Sequence, residues 1–306
     1  MKNGGVQMKV FTTLLYDNKP NVSYTSYLHE GSEEIDKDRQ FPAMIICGGG
    51  AYLGISDREK EPVALHYLQA GFQVFVLDYQ TEATGNAQYP NPLLDLAMLM
   101  KQIRLQGETW QIDNDKIAII GFSAGANLCA QLATHWHNRW LAEGVGTGDN
   151  QLLKPNAVIL AYPLLDFIVQ EKYANLDPQI DLSLSYTDTT KRDFMHHANK
   201  VFLGKEYTEN RMKEASPYYF LSGKTPPTFL WTTAQDDLVY PQQCLRYANK
   251  MMELGVPVEL HLFEEGQHGL SLGTYQASGD PTLQNTDVAQ WQNLALRFLH
   301  RRFGEF

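Results

Sequence analysis

A serine hydroxyl attacks a carbonyl efficiently only if a neighbouring group takes its proton and fixed donors receive the negative charge that develops on the carbonyl oxygen. The pentapeptide Gly121-Phe122-Ser123-Ala124-Gly125 is placed for this chemistry, between the apolar run Ile117-Ala118-Ile119-Ile120 and the helix-like stretch Ala126 to His135. A GxSxG at a strand-to-helix junction is a nucleophile elbow. The turn is so tight that a large substituent beside the serine would meet the strand or the helix, which accounts for the flanking glycines. It also aims the first unpaired helical N–H groups at the site of developing charge. Ser123 is the candidate nucleophile.

The proton must pass to an imidazole that a carboxylate orients. Of the nine histidines, His268 stands out in Glu264-Glu265-Gly266-Gln267-His268-Gly269, a glycine-flanked loop just after the predicted strand Val258 to Phe263. For the acid, Asp236-Asp237 follows the predicted strand Thr228 to Thr233 and precedes Pro241, which opens the next helix. Either aspartate can serve, leaving the other to cap the helix or hold the loop. The run Cys47-Gly48-Gly49-Gly50-Ala51-Tyr52 follows the strand Phe41 to Ile46 and leaves backbone N–H groups free. Gly49 or Gly50 is then expected to join Ala124 in binding an oxyanion. Tyr52 and Phe122, next to these donors in the chain, are the candidate substrate contacts.

Alternative chemistries fit poorly. The glycine spacing is neither GxGxxG nor GxxxxGK[ST], so a phosphate cradle is not expected. In Thr134-His135-Trp136-His137 the two histidines are two apart on a predicted helix and point to different sides. His196-His197 has the same defect, with no carboxylate or cysteine to complete a site. Neither metal nor cofactor is expected, and Trp136, Trp231 and Trp291 read as core residues rather than a ligand platform.

These residues need a scaffold that delivers strand ends to one place. The opening third reads as extended segments, Lys9 to Tyr16, Val22 to Leu28 and Phe41 to Cys47, forming a small antiparallel lead-in. Strand and helix then alternate: helix Glu61 to Ala70, strand Phe72 to Tyr79, helix Pro92 to Leu105, the Ile117 strand, strand Ala157 to Tyr162, strand Thr228 to Thr233, helix Pro241 to Leu254, strand Val258 to Phe263, and a terminal helix near Thr286 to Arg302. Such alternation implies an α/β fold with a mostly parallel central sheet and helices on both faces. The rhythm lapses between Asp166 and Pro227, where Tyr173, Tyr186, Phe194, Met195, Phe202 and Tyr207 are scattered among polar residues. Residues 166–227 are predicted as a partial lid inserted over the carboxyl ends of the strands.

The 306 residues, without an obvious linker, read as one domain spanning 1–306. A hydrophobic fraction of 43% and a charged fraction of 20% suffice for a large buried core. The net charge of −10 argues against nucleic-acid and anionic-membrane partners. With no apolar signal region or spanning segment, the chain is expected to be cytoplasmic. Met8 is an alternative to Met1 as the natural start. Cys47, Cys129 and Cys244 are too few and too widely spaced for a disulfide framework or a zinc pattern.

Taken together, the chain resembles the α/β-hydrolase fold and, within it, the esterase/lipase group of hormone-sensitive-lipase-like and bacterial acetyl-xylan or feruloyl esterase-like proteins. The resemblance runs from about Phe41 to Arg302. It rests on Ile45 through Tyr52, Asp78-Tyr79, Ile119 through Leu128, Ser216-Pro217, and the segment from Asp236-Asp237-Leu238-Val239-Tyr240-Pro241 through Glu265-Gly266-Gln267-His268-Gly269. It implies Ser123 as nucleophile, Asp237 as orienting acid and His268 as general base, in the chain order that α/β-hydrolases use. It also implies an oxyanion hole from the Gly49 and Gly50 region with Ala124. Cys47 stands where the hormone-sensitive-lipase-like pattern has histidine, which brings the chain nearer the acetyl-xylan-esterase-like branch. Ala126 stands where a further glycine often follows GxSxG. The implied activity is hydrolysis of short-chain, acetyl-type esters, including acetylated sugars, through an acyl-enzyme and without cofactor. Amide hydrolysis by a peptidase or formamidase is the enzymatic alternative, separable by comparing amide with ester turnover. A non-catalytic binding protein on the same fold is the other, and an unactivated serine would not react with a fluorophosphonate.

Overall fold

The computed structural model describes residues 8–184 and 187–306. Met1 to Gln7, and with them the choice of start, lie outside the described residues, as does Tyr186. The chain opens with β1 (Lys9–Leu14) and β2 (Ser23–Leu28), paired antiparallel with Lys9 opposite Leu28. Then come β3 (Phe41–Cys47), α1 (Glu61–Gln69), β4 (Gln73–Asp78), α2 (Asn91–Leu105), β5 (Ile112–Phe122), α3 (Ala124–His135), α4 (Arg139–Gly144) and β6 (Ala157–Ala161). After α5 (Phe167–Ala174), α6 (Lys191–Leu203) and α7 (Glu209–Glu214), the chain ends with β7 (Thr228–Thr233), α8 (Gln242–Glu253), β8 (Val258–Phe263) and α9 (Trp291–Phe303).

The strands form one eight-stranded sheet in the order β1-β2-β4-β3-β5-β6-β7-β8. β2 joins β4 antiparallel, and the six strands from β4 to β8 run parallel. Every residue of β3 is buried, as the near-continuous apolar run of a strand covered on both faces requires. Successive side chains go to opposite faces. Ala43 and Ile45 belong to the core on one face, which also holds Leu96 and Met100 of α2, Leu128 of α3 and Tyr247 of α8. Met44 and Ile46 belong to the core on the other face, with Val63 and Tyr67 of α1 and Trp291 and Phe298 of α9. Trp231 and Trp291 are wholly buried and stacked at 5.4 Å, and Trp136 is also buried. Cys47, Cys129 and Cys244 are free and buried.

Segment 166–227 is more regular than its composition suggests. It holds α5, α6 and α7, with the side chains of Asp166, Thr190 and Thr208 capping their first turns. α6 carries long polar residues and sits after an irregular stretch, which hides its period in the sequence. Among the described residues no helix is long and apolar enough to cross a membrane.

Candidate active site

The loops after β3, β5, β6, β7 and β8 leave the sheet at its carboxyl edge, and each brings one chemically competent group to the same place. Ser123 occupies the step from β5 to α3 with φ 51° and ψ −115°, a conformation that side chains rarely adopt. Its own N–H is held by the Ala161 carbonyl at 3.0 Å and its carbonyl accepts from Asn127 N at 3.0 Å, so the strain is fixed from both sides. The glycines have a measurable reason: a Cβ on Gly121 would lie 2.2 Å from the Gly125 carbonyl oxygen, and one on Gly125 would lie 2.1 Å from that of Cys47.

The Ser123 Oγ lies 2.8 Å from His268 Nε2, and His268 Nδ1 lies 2.7 Å from Asp236 Oδ2. The three groups form one continuous relay although they are 145 and 32 residues apart in the chain. Burial by itself disfavours the charged imidazole, but the Asp236 carboxylate and its hydrogen bond outweigh it, with help from Glu59 and Asp237, and the His268 pKa is raised above its usual 6.5. The other Asp236 oxygen accepts from Leu238 N at 3.1 Å and Val239 N at 2.9 Å, which locks the carboxylate in place.

This corrects the expectation for Asp237. Consecutive side chains of the loop diverge, and that of Asp237 turns to the Lys191 ammonium at the start of α6, where it is half exposed. Asp236 both orients the imidazole and caps the turn, so one residue does the two tasks expected of the adjacent pair.

A second correction concerns the oxyanion donors. The Gly49 N–H is committed to Glu59 Oε2 at 2.6 Å, so it is not free to meet a substrate oxygen. Gly50 and Ala124 N–H have no acceptor among the described residues. Phe122 is likewise not a substrate contact: alternation along β5 sends it to the opposite face of the sheet, where it is fully buried beside Tyr162 and Trp291. Tyr52 does line the cavity at Ser123, and its hydroxyl donates to Asn127 Oδ1 at 2.6 Å.

Two residues at the site carry no sequence signature. Glu59 lies in the charged run Asp57-Arg58-Glu59-Lys60-Glu61, which reads as a solvated surface, yet it is only 3% exposed. Tyr162 follows β6, donates to Glu59 Oε1 at 2.6 Å, and sets its ring edge against His268 at 5.0 Å between centroids. Only its position at the end of a strand next to β5 could have drawn notice.

A cavity of about 360 Å³ opens beside Ser123. Tyr52, Phe167, Phe202 and Leu238 give it apolar walls; Asn175, just past the end of α5, and Arg192, His196 and Asn199 of α6 add polar groups. Phe202 of α6 stacks flat on Tyr52 at 3.8 Å. Segment 166–227 thus supplies much of the cavity wall. Among the described residues no group of three His, Cys, Asp or Glu side chains could hold a metal ion.

Comparison with known proteins agrees with this architecture. The family model BD-FAE matches residues 33–251, a span that holds the glycine loop, Ser123 and Asp236. An acetylxylan esterase of Xylanibacter ruminicola is 23% identical over 252 residues, covering 81% of this chain and 45% of that protein. The chain spans less than half the length of the curated relatives it matches. Among solved structures, an α/β hydrolase enzyme from a Medee basin deep-sea metagenome library is 29% identical, with 96% of this chain and 97% of that one covered and a TM-score of 0.69. An acetyl ester-xyloside bifunctional hydrolase from Caldicellulosiruptor lactoaceticus is 25% identical, with 95% and 96% covered and a TM-score of 0.71. The sheet order, the parallel strands and the helices on both faces are those of the α/β-hydrolase fold, and the chain belongs to the BD-FAE family.

Proposed function

We propose that this protein is a serine carboxylic-ester hydrolase that acts on short-chain, acetyl-type esters. The observation that carries the reading is the unbroken relay from Ser123 Oγ through both His268 nitrogens to a buried Asp236 carboxylate. In this mechanism His268 takes the Ser123 proton as Oγ attacks the ester carbonyl. The resulting oxyanion is received by the free N–H groups of Gly50 and Ala124. As the tetrahedral intermediate collapses, His268 gives the proton to the leaving alcohol and an acyl-Ser123 remains. Water then repeats the sequence and releases the acid. Asp236 holds the imidazole with its proton on Nδ1, so that Nε2 is the acceptor facing Ser123.

Acetylated sugars are the proposed substrate class. A cavity with stacked aromatic walls and several amide and charged groups suits a partly polar, partly apolar alcohol, and the acetylxylan esterase and the acetyl ester-xyloside hydrolase bear names of that kind. The test is Ser123→Ala. Its turnover of p-nitrophenyl acetate and its labelling by a fluorophosphonate should both vanish, and retained turnover would refute the assignment. Profiling the wild type against acyl chain length and acetylated oligosaccharides then tests the substrate class, for which faster turnover of long-chain esters is the contrary result.

A further inference from the structure

Glu59 is a buried carboxylate that the proton relay does not use. It ends the short helical turn Asp57–Glu59 just before α1. Both of its oxygens are engaged, one by Gly49 N–H and one by the Tyr162 hydroxyl. Ser271 N–H donates to the Tyr162 oxygen at 2.9 Å, so the proton of that hydroxyl is directed at Glu59. A carboxyl group that accepts at both oxygens is placed as an anion. Burial pushes its pKa up, while the bonds from Tyr162 and Gly49 and the nearby Arg58 and His268 oppose that rise.

The turn also grips the two loops that flank the reaction. Toward the glycine loop, Ser56 N donates to the Gly49 carbonyl at 2.8 Å, beside the Glu59 bond to Gly49 N–H. Toward the His268 loop, Arg58 Nη1 donates to the Gly269 carbonyl at 2.6 Å, and Ser271 Oγ donates to the Arg58 carbonyl at 2.6 Å. Gly49 itself lies against the nucleophile, since a Cβ there would be 2.9 Å from Ser123 Cβ. Residues 56–59 therefore bridge the oxyanion side of the site to the base side, and Glu59 is the buried charged member of the bridge.

We infer that Glu59 is a positioning residue of the reaction: a second buried carboxylate that fixes the glycine loop relative to the His268 loop and stabilises the imidazolium that forms on His268. The inference rests on Ser123 and His268 being nucleophile and base. Attraction between desolvated charges is far stronger than in water, so a carboxylate on the Tyr162 side of the ring complements Asp236 at Nδ1. The charged groups that face or adjoin His268 are Asp236, Glu59, Asp237 with its partner Lys191, and Arg58, whose charge lies next to Glu59. Glu59 does not line the cavity, so its contribution falls on the chemical step rather than on binding.

Glu59→Gln keeps the shape and removes the charge. With p-nitrophenyl acetate it should lower kcat roughly 10- to 100-fold, the scale of a small misplacement of reacting groups, with KM within about threefold. The acid limb of the kcat/KM profile should move to lower pH, because an imidazolium that has lost a neighbouring anion deprotonates more readily. Glu59→Asp, which keeps the charge, should retain the wild-type acid limb while losing rate. A folded Glu59→Gln protein with an unmoved acid limb overturns the inference, as does one with wild-type kcat. If Glu59→Gln does not fold, Glu59→Asp and Tyr162→Phe decide: reduced kcat with the wild-type acid limb supports the role, and wild-type kcat in both refutes it. Ser123→Ala measured alongside separates the two claims. Activity in Ser123→Ala defeats the proposed function itself, whereas its inactivity beside an unaffected Glu59→Gln defeats this inference alone.

Discussion

Replacing Asp236 by asparagine should abolish most of the activity through a change of tautomer. Oδ1 of Asp236 accepts from two backbone N–H groups, those of Leu238 and Val239, at 3.1 and 2.9 Å. An amide nitrogen cannot accept these bonds, so in Asp236→Asn the amide oxygen must take that position and the NH2 group must face His268 Nδ1. Nδ1 then has to be the acceptor. The ring proton moves to Nε2 and points at Ser123 Oγ, 2.8 Å away, where a base is required. The loss expected for a base held in the wrong tautomer is roughly 10³- to 10⁴-fold in kcat, or about 4–5.5 kcal/mol of transition-state stabilisation.

The adjacent substitution is the control. Asp237 is 51% exposed and pairs with Lys191 outside the relay, so Asp237→Asn should cost less than about fivefold in kcat. It should instead lower stability by about 1–3 kcal/mol, because Lys191 is nearly buried and loses its partner at the point where α6 meets this loop. The assay is p-nitrophenyl acetate turnover at a pH on the alkaline plateau, with thermal melts and circular dichroism of both variants. An Asp236→Asn enzyme within tenfold of the wild type, or an Asp237→Asn that is the more damaging of the two, would show that Asp236 does not set the tautomer of His268.

Two further outcomes follow from the same geometry. Because the His268 pKa is raised above 6.5 and only its neutral form accepts the Ser123 proton, kcat/KM should fall as pH drops, with a midpoint above 6.5 and a plateau on the alkaline side; a rate that holds down to pH 5 would exclude His268 as base. Gly125→Ala would drive a methyl group into the carbonyl oxygens of Cys47 and Gly48, at 2.1 and 2.5 Å, and since both are backbone of the central strand's exit, α3 must shift. It should destabilise the fold by ~3 kcal/mol and lower esterase activity, read from urea unfolding and turnover, and a variant as stable as the wild type would contradict the packing described at the elbow.

Much of the architecture was legible because parallel strands covered on both faces announce themselves as short apolar runs, and amphipathic helices fill the spaces between them. The helices at Asn91–Leu105 and Gln242–Glu253 lie within a residue of their expected limits. α5, α6 and α7 were not legible, since short helices with polar faces lose their period among loop residues. The strand before the elbow also begins earlier than its apolar run, at Ile112, because Asp113, Asn114, Asp115 and Lys116 continue it without hydrophobic alternation.

The pentapeptide was enough to place a serine in a tight turn between a strand and a helix, because the elbow leaves no room for a Cβ two residues to either side, at Gly121 and Gly125. The sequence by itself likewise placed a histidine and a pair of aspartates at strand ends. Tertiary structure alone decided which aspartate meets the imidazole, that Gly49 is occupied, that Phe122 faces away, and that Glu59 lies inside. The reason is geometric. Residue types and short spacings constrain local backbone, whereas the direction of one side chain relative to another 32 or 145 residues away depends on how the sheet stacks its strand ends. Adjacent residues in a turn point apart, so a one-residue ambiguity in the chain becomes, in space, the difference between a buried relay and a half-exposed ion pair.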